Sequence, residues 1–420
     1  MIGLFKENKM FRILLGYQLF STLGGGVFQI FMLLSVHLLY QNPIYTGIAG
    51  FLMAAPFIFS FAVGPVVDRR SKPMIMRLTT LLEFVVMALL AFTPVLEQTG
   101  VLFLFAVILI FSAAAVFESP AGGAMLPQIV QGEKILQAKS FIQIVSFVGM
   151  LVIVAVLYTS LGAGADANFA FIYGLSAGFL ILAFVFALLT KDPAGKEMKD
   201  KSKEQSYLQD LKDGARFLRQ NFLLYIVIAV VSLNLFSEIA SVNRPMFFEY
   251  YVGVQGYIIL GVIAIIGGIA ASVLIGVLGN NFRVGRMAAV LLLIAGVVRI
   301  IFVQVIPFNF AITLAILFLY STFSTVAGTV FSTLKQRVPP KDMIGRVDTI
   351  STTFIAIFTA LGALAGGFLG NMVPVVDHIF IYQSIGYLAI GVAILLIPSI
   401  RKLPKMDEIN KTGVNFHRQR

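Results

Sequence analysis

The sequence predicts an all-α membrane protein whose twelve transmembrane helices form two pseudo-symmetric six-helix halves. Three observations lead there. The composition is too apolar for a water-soluble domain. Nearly all basic residues fall on alternate loops of a twelve-span reading. Short segments of the first half recur in the second.

Hydrophobic residues make up 59% of the 420 positions and charged residues 12%, about half the roughly 25% charged content of soluble domains. A soluble fold must clothe itself in polar surface, and contact with lipid removes that requirement. A span needs about 20 mostly apolar residues to cross a hydrocarbon core of roughly 30 Å. Twelve stretches qualify. In the first half they run 12–40, 46–67, 74–95, 101–118, 137–160 and 168–190; in the second, 222–248, 257–279, 287–305, 310–331, 347–370 and 379–400. They must be helical, because unpaired peptide groups are costly in lipid, and they are too long for the strands of a barrel. The first apolar run follows Lys6, Lys9 and Arg12 and continues to Tyr40 without a clean cleavage pattern, so it is expected to be a span and not a removed signal.

Charge placement tests the span count. Of 31 Lys and Arg residues, 29 lie at the N-terminus, in the loops after spans 2, 4, 8 and 10, in the central linker, or in the C-terminal tail. The loops near Asn42, Gln98, Gly164, Gly253, Asn309 and Val375 contain none. The positive-inside rule makes the basic side cytoplasmic, with both termini there and the chain in the plasma membrane. The net charge of +11 is thereby explained without nucleic acid. Arg244 and Arg299 are the exceptions, since both fall inside spans.

The halves, 1–190 and 222–400, are joined by a lysine-rich linker, 191–221, and followed by a tail, 401–420. Leu208, Leu211, Ala215 and Leu218 in the linker have the spacing of an amphipathic helix lying on the cytoplasmic face. The segment from Leu126 to Leu136 after span 4 resembles Leu334 to Ile344 after span 10, at an offset of 208 residues. Gly64-x-x-x-Asp68 after span 2 matches Gly276-x-x-x-Asn280 after span 8, at an offset of 212. Two parallel six-span halves around a midplane site describe the major facilitator architecture.

The loop Gly64-Pro-Val-Val-Asp68-Arg69-Arg70-Ser71-Lys72-Pro73 is similar to the signature loop of the major facilitator superfamily, with Ser71 where a Gly and Pro73 where a second basic residue are usual. Two further segments, Ser119 to Val130 and Gln336 to Val347, resemble the macrolide-efflux-like branch of drug:proton antiporters. The resemblance implies export of hydrophobic compounds or siderophores, driven by the proton gradient. Span 5 departs from the antiporter pattern, carrying only Gly149 in place of a Gly-Pro-x-x-Gly-Gly cluster.

Buried charges mark candidate chemistry, because an ionisable group inside a membrane is costly. Glu83 lies roughly 14 Å and Arg299 roughly 18 Å along their spans at 1.5 Å per residue. Glu238 lies farther along span 7, on one face with Asn234 and Ser241. A carboxylate beside substrate suits proton coupling, which makes Glu238 the first candidate and Glu83 the second. Alternatively, Glu83 with Arg299 and Glu238 with Arg244 simply neutralise one another. Gln18 and Gln29 in span 1, beside the flexible Gly24-Gly25-Gly26, join Asn234 and Arg299 as cavity candidates. Gly64, Asp68, Arg69, Lys72 and Glu118 are gating candidates at the cytoplasmic ends of spans 2 and 4. Gly362, Gly366 and Gly370 in span 11, and Gly268, Ser272 and Gly276 in span 8, read as packing or sliding surfaces between halves.

No catalytic constellation emerges. The absence of Cys excludes disulfides and thiol chemistry. No phosphate-binding Gly-x-x-x-x-Gly-Lys-Ser/Thr is present, and His37, His378 and His417 are dispersed, so no metal and no cofactor are expected. The expected partners are a small-molecule substrate, protons and the lipid bilayer, with the chain working as a monomer. The expected function is proton-coupled efflux of hydrophobic or amphipathic molecules by alternating access. The alternatives are a nutrient or anion importer, a siderophore exporter, and a non-transporting sensor or immunity protein.

Overall fold

The computed structural model describes residues 8–92, 100–130, 134–161, 168–191, 207–278, 283–340, 343–372, 377–403 and 405. The first half contains α1 (Lys9–Tyr40), α2 (Pro43–Ala54), α3 (Ser60–Arg69), α4 (Lys72–Phe92), α5 (Val101–Ile129), α6 (Lys134–Ser160) and α7 (Phe169–Leu189). A linker helix α8 (Tyr207–Gln220) precedes α9 (Leu223–Ser241), α10 (Arg244–Leu278), α11 (Val284–Val305), α12 (Phe310–Arg337), α13 (Ile344–Met372), α14 (Asp377–Leu396) and the short α15 (Pro398–Arg401). Among the described residues, eleven helices are long and apolar enough to cross a bilayer, and Ile144–Ser160 within α6 is a shorter apolar stretch. Span 2 is α2 and α3 together, joined by a 3-10 turn over Ala55–Phe59 with Pro56 at its start.

Spans at the edge of the first unit are apolar both where they meet protein and where they do not. On α4, Leu78, Leu81, Leu82, Val85, Leu89 and Phe92 are exposed. The opposite face, Thr79, Thr80, Glu83, Val86, Met87 and Leu90, is buried. Asparagines cap the starts of α1, α7 and α12: Asn8, Asn168 and Asn309 accept from the amides of Phe11, Phe171 and Ile312 at 2.9–3.0 Å. Each satisfies an amide that the helix leaves without a partner.

The chain divides into two compact units. The first comprises residues 1–41 and 52–202; the second comprises 42–51 and 203–420. Within the first unit, α4 packs along α7 and α5, and α1 along α7 and α6. The second unit repeats this scheme: α11 packs along α14 and α12, and α9 along α14 and α13. The two repeated sequence segments begin inside helices and not in loops. Leu126 and Leu334 belong to the last turns of α5 and α12, and each accepts the same closing bond, from Val130 N at 2.9 Å and from Val338 N at 3.1 Å.

Several expected details change. Gly24, Gly25 and Gly26 do not interrupt α1, which runs unbroken. Gly24 instead receives α7: a Cβ there would stand 2.5 Å from Leu180 Cγ, and Ser176 Oγ donates to Gly24 O at 2.9 Å. Small residues let backbones approach where lipid supplies no hydrophobic drive for helices to associate. The glycines of span 11 serve packing inside the second unit. Cβ atoms on Gly362 and Gly366 would stand 2.7 and 2.5 Å from the carbonyls of Leu235 and Ile239 on α9, and Gly370 abuts Asn243 Oδ1. In span 8 the packing glycine is Gly267, against α12. Gly268 meets nothing within 4 Å, and Ser272 is exposed. Helix α8 buries Gly214 and Leu218 while Ala215 is exposed. It docks on α13, where a Cβ on Gly214 would meet Ile350 Cδ1 at 2.8 Å and Asp213 pairs with Arg346 at 3.3 Å. The side chains of Leu208 and Leu211, the loop ending at Asn280, and the tail beyond Lys405 lie outside the described residues.

Candidate functional site

In the first unit a cluster of polar side chains joins spans 1, 3 and 4. Glu83 is 1% exposed, on the inward face of α4 one turn after Thr79 and Thr80. Its hydrogen-bond partner is Glu118, and its Oε1 has no partner among the described residues. Glu118 Oε1 accepts from two hydroxyls of α1, Tyr17 and Ser21, both at 2.5 Å. The Tyr17 oxygen lies 3.3 Å from the Thr80 hydroxyl. Since the single phenolic hydrogen points at Glu118, Thr80 is the donor in that contact. Tyr17 and Ser21 are four residues apart, so they share one face of α1.

Sequence reasoning placed Glu118 at a span end among the gating residues. In the structure α5 runs on to Ile129, so Glu118 lies within the helix and not at its end, against Glu83. The error arose because Glu118, Ser119 and Pro120 read as a polar terminus, whereas Pro120 and Pro127 are both accommodated within the helix.

The second unit holds a different arrangement. Arg299 is 4% exposed. Its guanidinium carbon lies 4.8 Å from the ring centroids of Phe302, Tyr320 and Phe380, within reach of cation–π attraction. Its Nε has no hydrogen-bond partner among the described residues. Beside it, Gln383 Nε2 donates to Tyr320 Oη at 3.1 Å, and Tyr387 Oη lies 3.0 Å from Ser237 Oγ.

Glu238 is half-buried on α9. A Cβ on Gly50 would stand 3.8 Å from its Oε1, and one on Gly362 would stand 3.2 Å from its Cβ. Arg244 interacts with it electrostatically. Arg244 itself is exposed and opens α10, because the chain turns at Val242 and Asn243. A second break at Gly253 (φ 70°) separates the start of α10 from span 8 proper.

The remaining candidates are dispersed. Gln18 is partly buried, with Oε1 3.6 Å from a Cβ position on Gly122. Gln29 is exposed. Asn234 turns back on its own helix, Nδ2 donating to Val230 O at 2.8 Å. Gly64 meets nothing within 4 Å, and Lys72 is half-buried at the start of α4. Asp68 and Arg69 lie in α3, and their side chains are outside the described residues. Sequence reasoning missed Tyr17, Ser21 and Thr80, because a lone hydroxyl in an apolar run carries no signal of its partner. Among the described residues, no group of three or more His, Asp or Glu side chains forms a metal site.

Comparison with known proteins follows the same lines. Residues 14–363 match the family model described as Major Facilitator Superfamily. Macrolide efflux protein A of Streptococcus pyogenes is 21% identical over 368 residues, covering 85% of this chain and 87% of that protein. The fold is similar to that of the nucleoside transporter NupG, with a TM-score of 0.70 at 13% identity over 93% of this chain and 100% of the other. It is also similar to a POT family transporter solved with 5-aminolevulinic acid, with a TM-score of 0.74 at 12% identity over 94% and 97% of the two chains. The D-xylose-proton symporter gives a TM-score of 0.67 at 16% identity, over 94% and 97%.

Proposed function

The chain belongs to the major facilitator superfamily, and from that premise we propose that it is a proton-driven exporter of hydrophobic or amphipathic small molecules, working by alternating access. Membership makes it a multi-pass membrane transporter and not an enzyme. The proton comes from the observation that carries the reading: three carboxyl groups, Glu83, Glu118 and Glu238, lie within membrane-spanning helices without a basic side chain hydrogen-bonded to them among the described contacts. Charge in lipid is costly, so such groups suit a cycle in which they are neutral in one state and ionised in another. The direction and substrate class rest on the similarity to a macrolide efflux protein. The basic loops support a reading in which both termini face the cytoplasm from the plasma membrane, with each chain working as a monomer.

The test is transport in everted vesicles. Adding substrate after acid-loading dissipates the proton gradient, and the loss depends on the protein. If Glu83→Gln and Glu238→Gln both leave gradient-driven extrusion intact, the coupling assignment is wrong. A drug and metabolite susceptibility panel with and without the protein identifies the substrate; a macrolide or siderophore phenotype supports export, and no phenotype counts against it.

A second reading is favoured by Arg299. A buried guanidinium held by rings, with Nε unpartnered, suits recognition of an anionic solute by an importer. Uptake of labelled anions that is lost in Arg299→Ala would replace the export reading.

A further inference from the structure

We propose that Glu83 and Glu118 form a single-proton site, in which Glu83 carries the proton and donates it to an ionised Glu118. This deepens the proton-coupled reading, on which it rests for its use in transport, by naming the residues that hold the proton.

The argument begins with hydrogen counting. Two carboxyl groups joined by a hydrogen bond need one proton between them. If both were ionised, two like charges would stand in contact inside a low-dielectric helix bundle, where their repulsion is large. The pair therefore holds at least one proton. The hydroxyls decide which residue carries it. Tyr17 and Ser21 both direct their hydrogens at Glu118 Oε1, and donors gathered on one oxygen favour the charged form of that carboxyl group. Glu83 receives no such support. Its Oε1 is buried with no donor directed at it among the described residues. A buried acid with one orphan oxygen is better accommodated as the neutral partner, because an orphan carbonyl oxygen costs less than an orphan charge.

Among the described residues the surroundings supply no competing base. From α1 comes Tyr17, and from α5 comes Glu118. Tyr173 of α7, the helix packed along α4, donates to Ser35 at 2.8 Å. Arg77 of α4 itself is committed to the carbonyls of Ala187, Leu188 and Thr190 at the end of α7. A metal ion fits poorly, because it needs oxygen lone pairs directed at it, and the two hydroxyls present hydrogens to Glu118. Adding a second proton would neutralise the pair, and releasing it would restore one negative charge; that one-proton exchange is what a coupled carrier requires. Because Tyr17 and Ser21 come from α1 while the two acids come from α4 and α5, a shift of α1 would withdraw the donors and change the proton affinity of the pair.

The experiment is infrared difference spectroscopy on the purified full chain in lipid, wild type against variant, at neutral pH. A carboxylic-acid carbonyl band that shifts in deuterium oxide is expected in the wild type and lost in Glu83→Gln. In Tyr17→Phe the band remains and moves in frequency. Glu83→Gln is nearly isosteric, and circular dichroism establishes that it is folded. A band unchanged in Glu83→Gln overturns the site, and so does a band abolished by sodium at constant ionic strength, which would make the ligand a metal cation. Vesicle transport separates the two readings. The expected band behaviour without gradient-driven transport in the wild type supports the site and sinks the exporter. An unchanged band in Glu83→Gln with transport intact sinks the site and leaves the exporter, with Glu238 as the remaining carrier.

Discussion

Gly366→Ala and Gly268→Ala are expected to move stability in opposite directions, although both glycines belong to four-residue small-residue stripes. At Gly366 a new Cβ would stand 2.5 Å from Ile239 O, 2.9 Å from Ile239 Cα and 2.7 Å from a methyl carbon of Val242. Two of those atoms are backbone of α9, so relief requires α9 and α13 to separate. Asn243 Nδ2 donates to Gly366 O at 2.8 Å, and separation strains that bond too. Overpacking of this kind costs about 1–3 kcal/mol, and the strained hydrogen bond adds about 1 kcal/mol. At Gly268 nothing lies within 4 Å, and replacing a mid-helix glycine by alanine stabilises by about 0.5–1 kcal/mol. The variants should therefore differ by about 3 kcal/mol. With no Trp and no Cys in the chain, thermal loss of helical circular dichroism is a suitable assay, read as an apparent midpoint in one detergent at one scan rate, because membrane proteins commonly unfold irreversibly. Equal midpoints for the two variants, or a lower one for Gly268→Ala, would refute the packing argument.

Other perturbations follow from the same geometry. Arg77→Ala removes three charge-assisted bonds to the carbonyl end of α7 and should cost about 1.5–3 kcal/mol, with Arg77→Lys recovering part; the same melting assay checks it. Asp213→Ala removes contacts to Arg346 and Arg216 that are partly exposed, so it should change stability by less than about 1 kcal/mol, and a larger drop would show that α8 is held chiefly by that ion pair. Arg299→Met keeps most of the side-chain length while removing the charge over three rings, losing about 2 kcal/mol of cation–π attraction. Proton-driven extrusion should survive that change, and its abolition would show that Arg299 takes part in export.

The sequence by itself determined that the chain lives in lipid, how many times it crosses, and that its second half repeats its first. Those properties depend on summed hydropathy and on charges placed in loops, and neither requires knowing which helices touch. The tertiary structure decided everything that depends on helix rotation. A membrane helix is largely apolar toward lipid and toward protein alike, so the few polar residues of α4 do not reveal which helix Glu83 and Thr80 face, nor that Leu82 looks out. The glycine stripes of spans 8 and 11 look equivalent as text, yet Gly366 is pressed against α9 and Gly268 is open. Arg244 read as an intraspan charge because the turn at Val242 and Asn243 carries no Gly or Pro before Pro245, and only the fold shows it exposed. Glu83 and Glu118 are on different helices, separated by a loop, and no local pattern links them. Their pairing is set by how α4 and α5 turn toward α1, where Tyr17 and Ser21 donate to Glu118.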